Sequence, residues 1–132
     1  MTRIVERGVI LHYTSFKDID HGNFFVVLGV FDDRIAGFSF INSNINPRVI
    51  NKQEQMDLQY PMRTCDYPFL THLSFLCASD IEKYEVSELV DAYRKGSLKV
   101  SGQMKPEHLQ DVLDACRKSR IIRPIDKKQF LY

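Results

Sequence analysis

The side chains able to move a proton or grip a charged ligand are few in this sequence and widely spread. Histidine titrates nearest neutrality, and four are present: His12 in "GVILHYT", His21 in "DIDHGN", His72 in "FLTHLSF" and His108 in "KPEHLQD". No two share a spacing that puts them on one helix face, so no metal centre is expected. Each has a structural reading beside the catalytic one. His12 reads as a strand-rim residue, His108 as a solvated residue in a helix's first turn, His21 as a loop residue, and His72 as lying between apolar neighbours. Cys65, Cys77 and Cys116 are odd in number and lack CxxC spacing, which points to a thiol-reducing, cytoplasmic setting. Phosphate-cradling glycine loops, HExxH and GxSxG are all missing, and no cofactor is implied.

The stretch "FSFINSNINP", residues 38–47, carries the densest run of small polar side chains. It has two readings. Asn42, Ser43, Asn44 and Asn46 can close a turn after a strand, since Asn and Ser satisfy their own backbones there. Alternatively, Asn42 and Ser43 are donors to a phosphate at the rim of a groove. Tyr60, Tyr67 and Phe69 have the same double character: rings that can stack on bases, or ordinary core aromatics of a β-rich domain.

The elements that must position these residues change character near mid-chain. Residues 8–43 read as strands: "GVILHYTSF", then "NFFVVLGVFDD", then "RIAGFSFIN". The run Phe24 to Phe31 is almost continuously apolar, as a central strand covered on both faces would be. Gly29 within it predicts a bulge or tight bend, and Asp32-Asp33 predicts a hairpin turn. On the third strand Ile35, Gly37, Ser39 and Ile41 should share one face, with Ala36, Phe38 and Phe40 on the other. Residues 44–57 form a polar connection, followed by the extended segments "LQYPMR" and "YPFLTHLSFLCAS".

Two helices are expected after that. In "VSELVDAYRKG", Ser87 is the expected cap, Leu89, Val90 and Tyr93 the apolar face, and Gly96 the left-handed terminator. In "KPEHLQDVLDACRKS", Pro106 suits the first helical position, and Leu109, Val112, Leu113 and Cys116 fall at i, i+3, i+4 and i+7. Residues 107–118 should therefore pack one stripe on a sheet, with Cys116 a small core residue. A last turn or short helix is expected after Pro124.

Strands first and helices later, without βαβ alternation, argue for an α+β, mainly β, single domain over residues 1–132, a small curved barrel with helices attached. The net charge of +1, from 18 basic and 17 acidic residues, offers no general attraction for nucleic acid or membrane. Apolar runs such as "FFVVLGVF" are too short to cross a bilayer, and "MTRIVERGVI" lacks a signal-peptide core.

Three stretches resemble one family. "ERGVILHY" looks like the opening strand of the MazF/PemK-type toxins of toxin–antitoxin systems; "HGNFFVVLGV" resembles their glycine loop and second strand; "GQMKPEHLQDVLDACRKS" is similar to their closing helix. Residues 46–77 match only in being strand-rich. The resemblance implies an SH3-like curved barrel of antiparallel strands with C-terminal helices, typically a homodimer. It also implies metal-independent cutting of single-stranded RNA, and an antitoxin protein as partner. In active members an arginine of an "RP" pair clamps the phosphate; on that pattern Phe24 and Phe25 stand in place of Arg and Pro. Ser43 falls at the family's Thr/Ser position. The likeness then assigns Ser43 to the scissile phosphate, Asn42 and Asn44 to the surrounding loop, and His21 or His72 to the base that takes the 2′-hydroxyl proton. Arg34, Arg48, Arg63 or His21 would have to supply the missing charge. Without that clamp, activity is expected to be weakened or lost. The alternative is a non-catalytic barrel that binds a protein or peptide partner in a groove or along a sheet edge.

Overall fold

The computed structural model describes residues 4–14 and 23–132. The protein is α+β, built mainly on an antiparallel sheet of seven strands with helices toward the C-terminal end. Strands β1 (Val9–Tyr13), β2 (Asn23–Phe31) and β3 (Ile35–Asn42) are followed by a short 3₁₀ turn (Pro47–Val49) and α1 (Gln53–Met56). Next come β4 (Gln59–Met62), β5 (Ser74–Cys77), β6 (Glu82–Glu85), α2 (Val86–Arg94), β7 (Leu98–Gln103) and α3 (Pro106–Lys118). The chain finishes with α4 (Pro124–Asp126) and a π-helical turn (Lys127–Leu131).

Spatially the strands run β4-β5-β3-β2-β1-β7, with β6 also pairing with β3. Among the described residues β4 and β7 do not pair with each other, so the sheet is not closed. As its composition predicts, β2 is central: Phe25, Val26, Val27 and Leu28 are all fully buried. Its hairpin with β3 turns on Asp32 and Asp33, both left-handed (φ 55° and 56°), with the Arg34 N–H donating to Phe31 O at 3.0 Å. Two positive φ values in succession are the backbone of the tight hairpin turn whose twist matches the strands.

The sheet is covered on both faces. On one, Ile10, Val26, Leu28 and Ile41 pack with Val112, Leu113 and Cys116 of α3. On the other, Leu11, Phe25, Val27 and Phe38 pack with Leu89 and Ala92 of α2. The period-2 reading of β3 is therefore correct. The expected stripe of α3 is also buried, apart from Leu109, which is half-exposed. Burial pushes the Cys116 thiol up to about 12, so it is a core residue and not a nucleophile.

Two details of α2 differ from expectation. Its N-cap is Glu85, with no side-chain cap, and Ser87 lies inside the first turn. Its buried face is Leu89 and Ala92, while Tyr93 is exposed. The preceding strand fixes this: β6 runs directly into the helix, so no free turn is left for Ser87 to cap.

The C-terminal segment packs back over the middle of the sheet. Register shifts at Val27/Gly29, and Gly29 pairs with Gly37. A Cβ on Gly29 would lie 2.0 Å from the Phe130 carbonyl oxygen, and one on Gly37 would lie 2.5 Å from the Phe130 ring. The missing side chains make the slot that Phe130 fills. Arg7 donates to Leu28 O and Phe130 O, both at 2.8 Å, and Arg117 donates to Leu131 O at 2.7 Å. Asp126, buried, receives Lys83 Nζ at 2.7 Å and Arg123 Nε at 3.2 Å.

Candidate functional site

Strand pairing gathers several candidate residues at one end of the sheet. Asn42, the last residue of β3, is paired with Phe75 of β5, and Ile41 is paired with Phe24 of β2. Phe24 is in turn paired with His12 of β1, and His12 with Lys99 of β7. Ser43 and Asn44 continue past this end as an exposed bend, and His72 sits in the exposed loop that leads into β5. Antiparallel pairing thus brings Asn42, Ser43 and Asn44 to the same end as His72.

They do not form a catalytic constellation in this arrangement. His72 Nδ1 lies 3.0 Å from its neighbour Thr71 Oγ1, and Ser43 makes no hydrogen bond to His72 among the described residues. Arg48, exposed in the 3₁₀ turn, has its backbone N–H held by Asn46 Oδ1 at 3.0 Å. Here the turn reading of the Asn-rich stretch is correct for Asn46. His21 lies outside the described residues. Phe24 is engaged by rings: it stacks on His12 at 4.5 Å between centroids and meets Phe69 at 5.0 Å.

That contact begins a continuous row. Phe69 meets Tyr67 at 6.2 Å, Tyr67 meets His108 at 5.8 Å, and His108 meets Tyr60 at 5.7 Å. Tyr67 is buried, and the other rings in the row are half-exposed. The positioning is local and cheap. Pro106 starts α3, which puts His108 in its first turn, and β4 carries Tyr60. The turn at 63–67, closed by Asp66 and Tyr67 N–H groups donating to Arg63 O, delivers Tyr67.

The polar atoms of this row are tied together. The Lys105 backbone N–H donates to the Tyr67 hydroxyl oxygen at 3.1 Å, and Tyr67 Oη lies 2.8 Å from His108 Nδ1. His108 Nε2 has no partner among the described residues. Lys105 Nζ pairs with Asp66 Oδ1 at 2.8 Å, and that hydrogen bond holds the Asp66 carboxyl below its usual range and the Lys105 ammonium above its own. Burial, then the negative charge and hydrogen bond of Asp111 at 3.3 Å, pushes the Tyr60 phenol up to about 12. Burial likewise raises the Tyr67 phenol.

No family model matches this chain, and no curated protein does. Its own geometry therefore carries the functional reading. A cleft of about 460 Å³, lined by Asp33, Arg34, Glu85, Val86, Val90 and Arg94 among others, lies on the α2 side; it includes Arg34, one candidate for the missing charge, but neither Ser43 nor His72. Among the described residues no group of His, Cys, Asp or Glu could hold a metal ion, and no helix is long and apolar enough to cross a membrane. The sequence reading missed the partnership of His108 with Tyr67. A histidine two residues after a helix-starting proline was visible, but its partner is 41 positions away.

Proposed function

We propose that the protein is a toxin-like, single-stranded-RNA-handling protein of the MazF/PemK kind, with weakened metal-independent endoribonuclease activity. The observation that carries this reading is that the exposed Asn42–Ser43–Asn44 bend follows Ile41, whose strand partner Phe24 joins a row of mostly half-exposed rings. Single-stranded RNA is recognised by rings that receive splayed bases and by small polar groups that meet the backbone. The bulges in β7 and β2 supply bends of the kind an SH3-like barrel would use, although among the described residues the sheet is not closed between β4 and β7. In this reading Ser43 contacts the phosphate, Asn42, Asn44 and Arg48 line the strand's path, and His72 or His21 takes the 2′-hydroxyl proton. The expected assembly is a homodimer, and the expected regulator is an antitoxin protein.

Weak activity follows from Phe24. It packs against His12 and Phe69 where the family places a cation, and loss of one such charge-stabilising contact typically costs about 100- to 1000-fold in rate. The test is cleavage of a mixed-sequence single-stranded RNA by pure protein in chelator. Slow cleavage is expected, falling further in Ser43→Ala and His72→Ala. Equal cleavage by all three proteins would remove both residues from the mechanism.

The edge position of β7 favours a second reading. Among the described residues β7 has one strand neighbour, β1, and Val100 on it is exposed, so an extended peptide could add there as a further strand. Complete absence of RNA binding and cleavage would favour this non-catalytic module.

A further inference from the structure

We infer that Phe69, His108 and Tyr60 form a receiving site for one unpaired nucleobase of single-stranded RNA, separate from the Ser43 bend. The inference rests on the RNA reading above and adds to it where a base sits. Three observations point to a heterocycle and not to an apolar side chain. The rings are half-exposed, so they offer faces to solvent. His108 Nδ1 lies 2.8 Å from the Tyr67 hydroxyl, and its Nε2 has no partner among the described residues. The Asp111 carboxylate, exposed, stands 3.3 Å from the Tyr60 hydroxyl. A ring nitrogen and a carboxylate bordering aromatic faces can meet the mixed donor and acceptor edge of a nucleobase. An apolar side chain there would leave His108 Nε2 unpaired.

Charge fits the same occupant. Lys99 is exposed beside His12 at one end of the row, and Arg63 is exposed beside the Asp66–Tyr67 turn in its middle. A phosphate backbone following the row from His12 to Tyr67 would meet both cations. Asp66, which would oppose it, is engaged by Lys105. The pair Tyr67 and Lys105 acts as a positioning group: Tyr67 is buried, takes the Lys105 N–H, and fixes the His108 ring.

The experiment is equilibrium binding of a fluorescently labelled, mixed-sequence single-stranded RNA, alongside an abasic ribose-phosphate oligomer of the same length. The proteins are wild type, Tyr60→Leu, Tyr60→Phe, His108→Gln and Ser43→Ala, each checked for native circular dichroism and melting. Removing a stacking ring should weaken RNA binding about 5- to 100-fold, so Tyr60→Leu should lose affinity while Tyr60→Phe, which keeps the ring, should not. His108→Gln, which removes the ring and offers the Tyr67 hydroxyl another acceptor, should also weaken binding. The abasic oligomer should bind wild type and Tyr60→Leu equally. If wild type binds RNA and Ser43→Ala weakens it while Tyr60→Leu and His108→Gln do not, the base site is wrong and the RNA reading stands. If wild type binds neither oligomer, both fall. If Tyr60→Leu weakens the abasic oligomer as much as RNA, the cluster contacts backbone, and the base site is again overturned.

Discussion

The two faces of the sheet are built from different materials. The α2 face has a buried apolar centre of Leu11, Phe25, Val27, Phe38, Leu89 and Ala92, with the partly buried rings of Tyr13, Phe40 and Tyr84 packed against it. The α3 face has an apolar centre of Ile10, Val26, Leu28, Val112 and Leu113, but it admits the Phe130 slot and ends in the His12-to-Tyr60 ring row. On the α2 face Phe38 meets the half-exposed rings of Phe40 at 5.5 Å and Tyr84 at 5.7 Å. The α3 rim adds a polar tie between its rings, the Tyr67 hydroxyl to His108. Damage to the α2 face and the α3 centre should lower stability, whereas, under the proposed function, damage to the α3 rim should lower RNA binding.

The largest stability effect should come from the slot. Phe130→Ala removes a fully buried ring and should cost about 3–5 kcal/mol in urea unfolding. The two glycines under it should then behave differently. A Cβ on Gly37 meets the Phe130 ring, whereas one on Gly29 meets the Phe130 backbone at 2.0 Å. Gly37→Ala should therefore cost about 1–3 kcal/mol alone, by overpacking, and little in a Phe130→Ala background. Gly29→Ala should remain costly in both backgrounds. Additive Gly37→Ala and Phe130→Ala effects would mean that the ring does not occupy the slot.

Next in size are Leu113→Ala on the α3 face and Leu89→Ala on the α2 face, each expected to cost about 2–5 kcal/mol as buried leucine truncations. Neither should change RNA affinity once the fraction folded is taken into account. A loss of affinity in Leu89→Ala as large as in Tyr60→Leu would break the division between the faces.

The parts of this architecture that the sequence reveals are those written in local periodicity. Ala36 and Phe38 face one way and Ser39 and Ile41 the other because strand alternation admits nothing else. Val112, Leu113 and Cys116 are buried because 3.6 residues make a turn. The strand at Leu98–Gln103 was not anticipated: "LKVSGQ" exposes Lys99 and Val100 and is held by pairing with β1, a partner far away in the chain. Gly29 was legible as a bend, yet the reason for Gly37 was hidden in Phe130, more than ninety positions later. The site was readable in the same uneven way. Asn42 and Ser43 stood out as a strand end, whereas His108 looked like a solvated first-turn residue. Nothing within one helix turn of it reveals Tyr67, and ring rows are products of tertiary packing.

The smallest expected effect is a titration, and it tests whether the α3 rim is as wet as its exposure suggests. Burial and then Asp111 push the Tyr60 phenol up to about 12, against an ordinary value of about 10. Raised folded-state affinity for the proton means that the fold prefers the neutral phenol. Its contribution to stability is fully present below about pH 10, and it is lost as pH climbs toward about 12, where Tyr60 ionises in the fold. Following phenolate absorbance in wild type and Tyr60→Phe should show that the variant lacks a component at the alkaline end of the titration. Asp111→Asn should move that component down, but only part of the way, because burial remains the larger cause. If Tyr60→Phe instead removes a component near the ordinary value, the Tyr60 hydroxyl faces bulk water without Asp111 beside it. The acceptor at the edge of the proposed base site would then be gone, although the ring faces would remain.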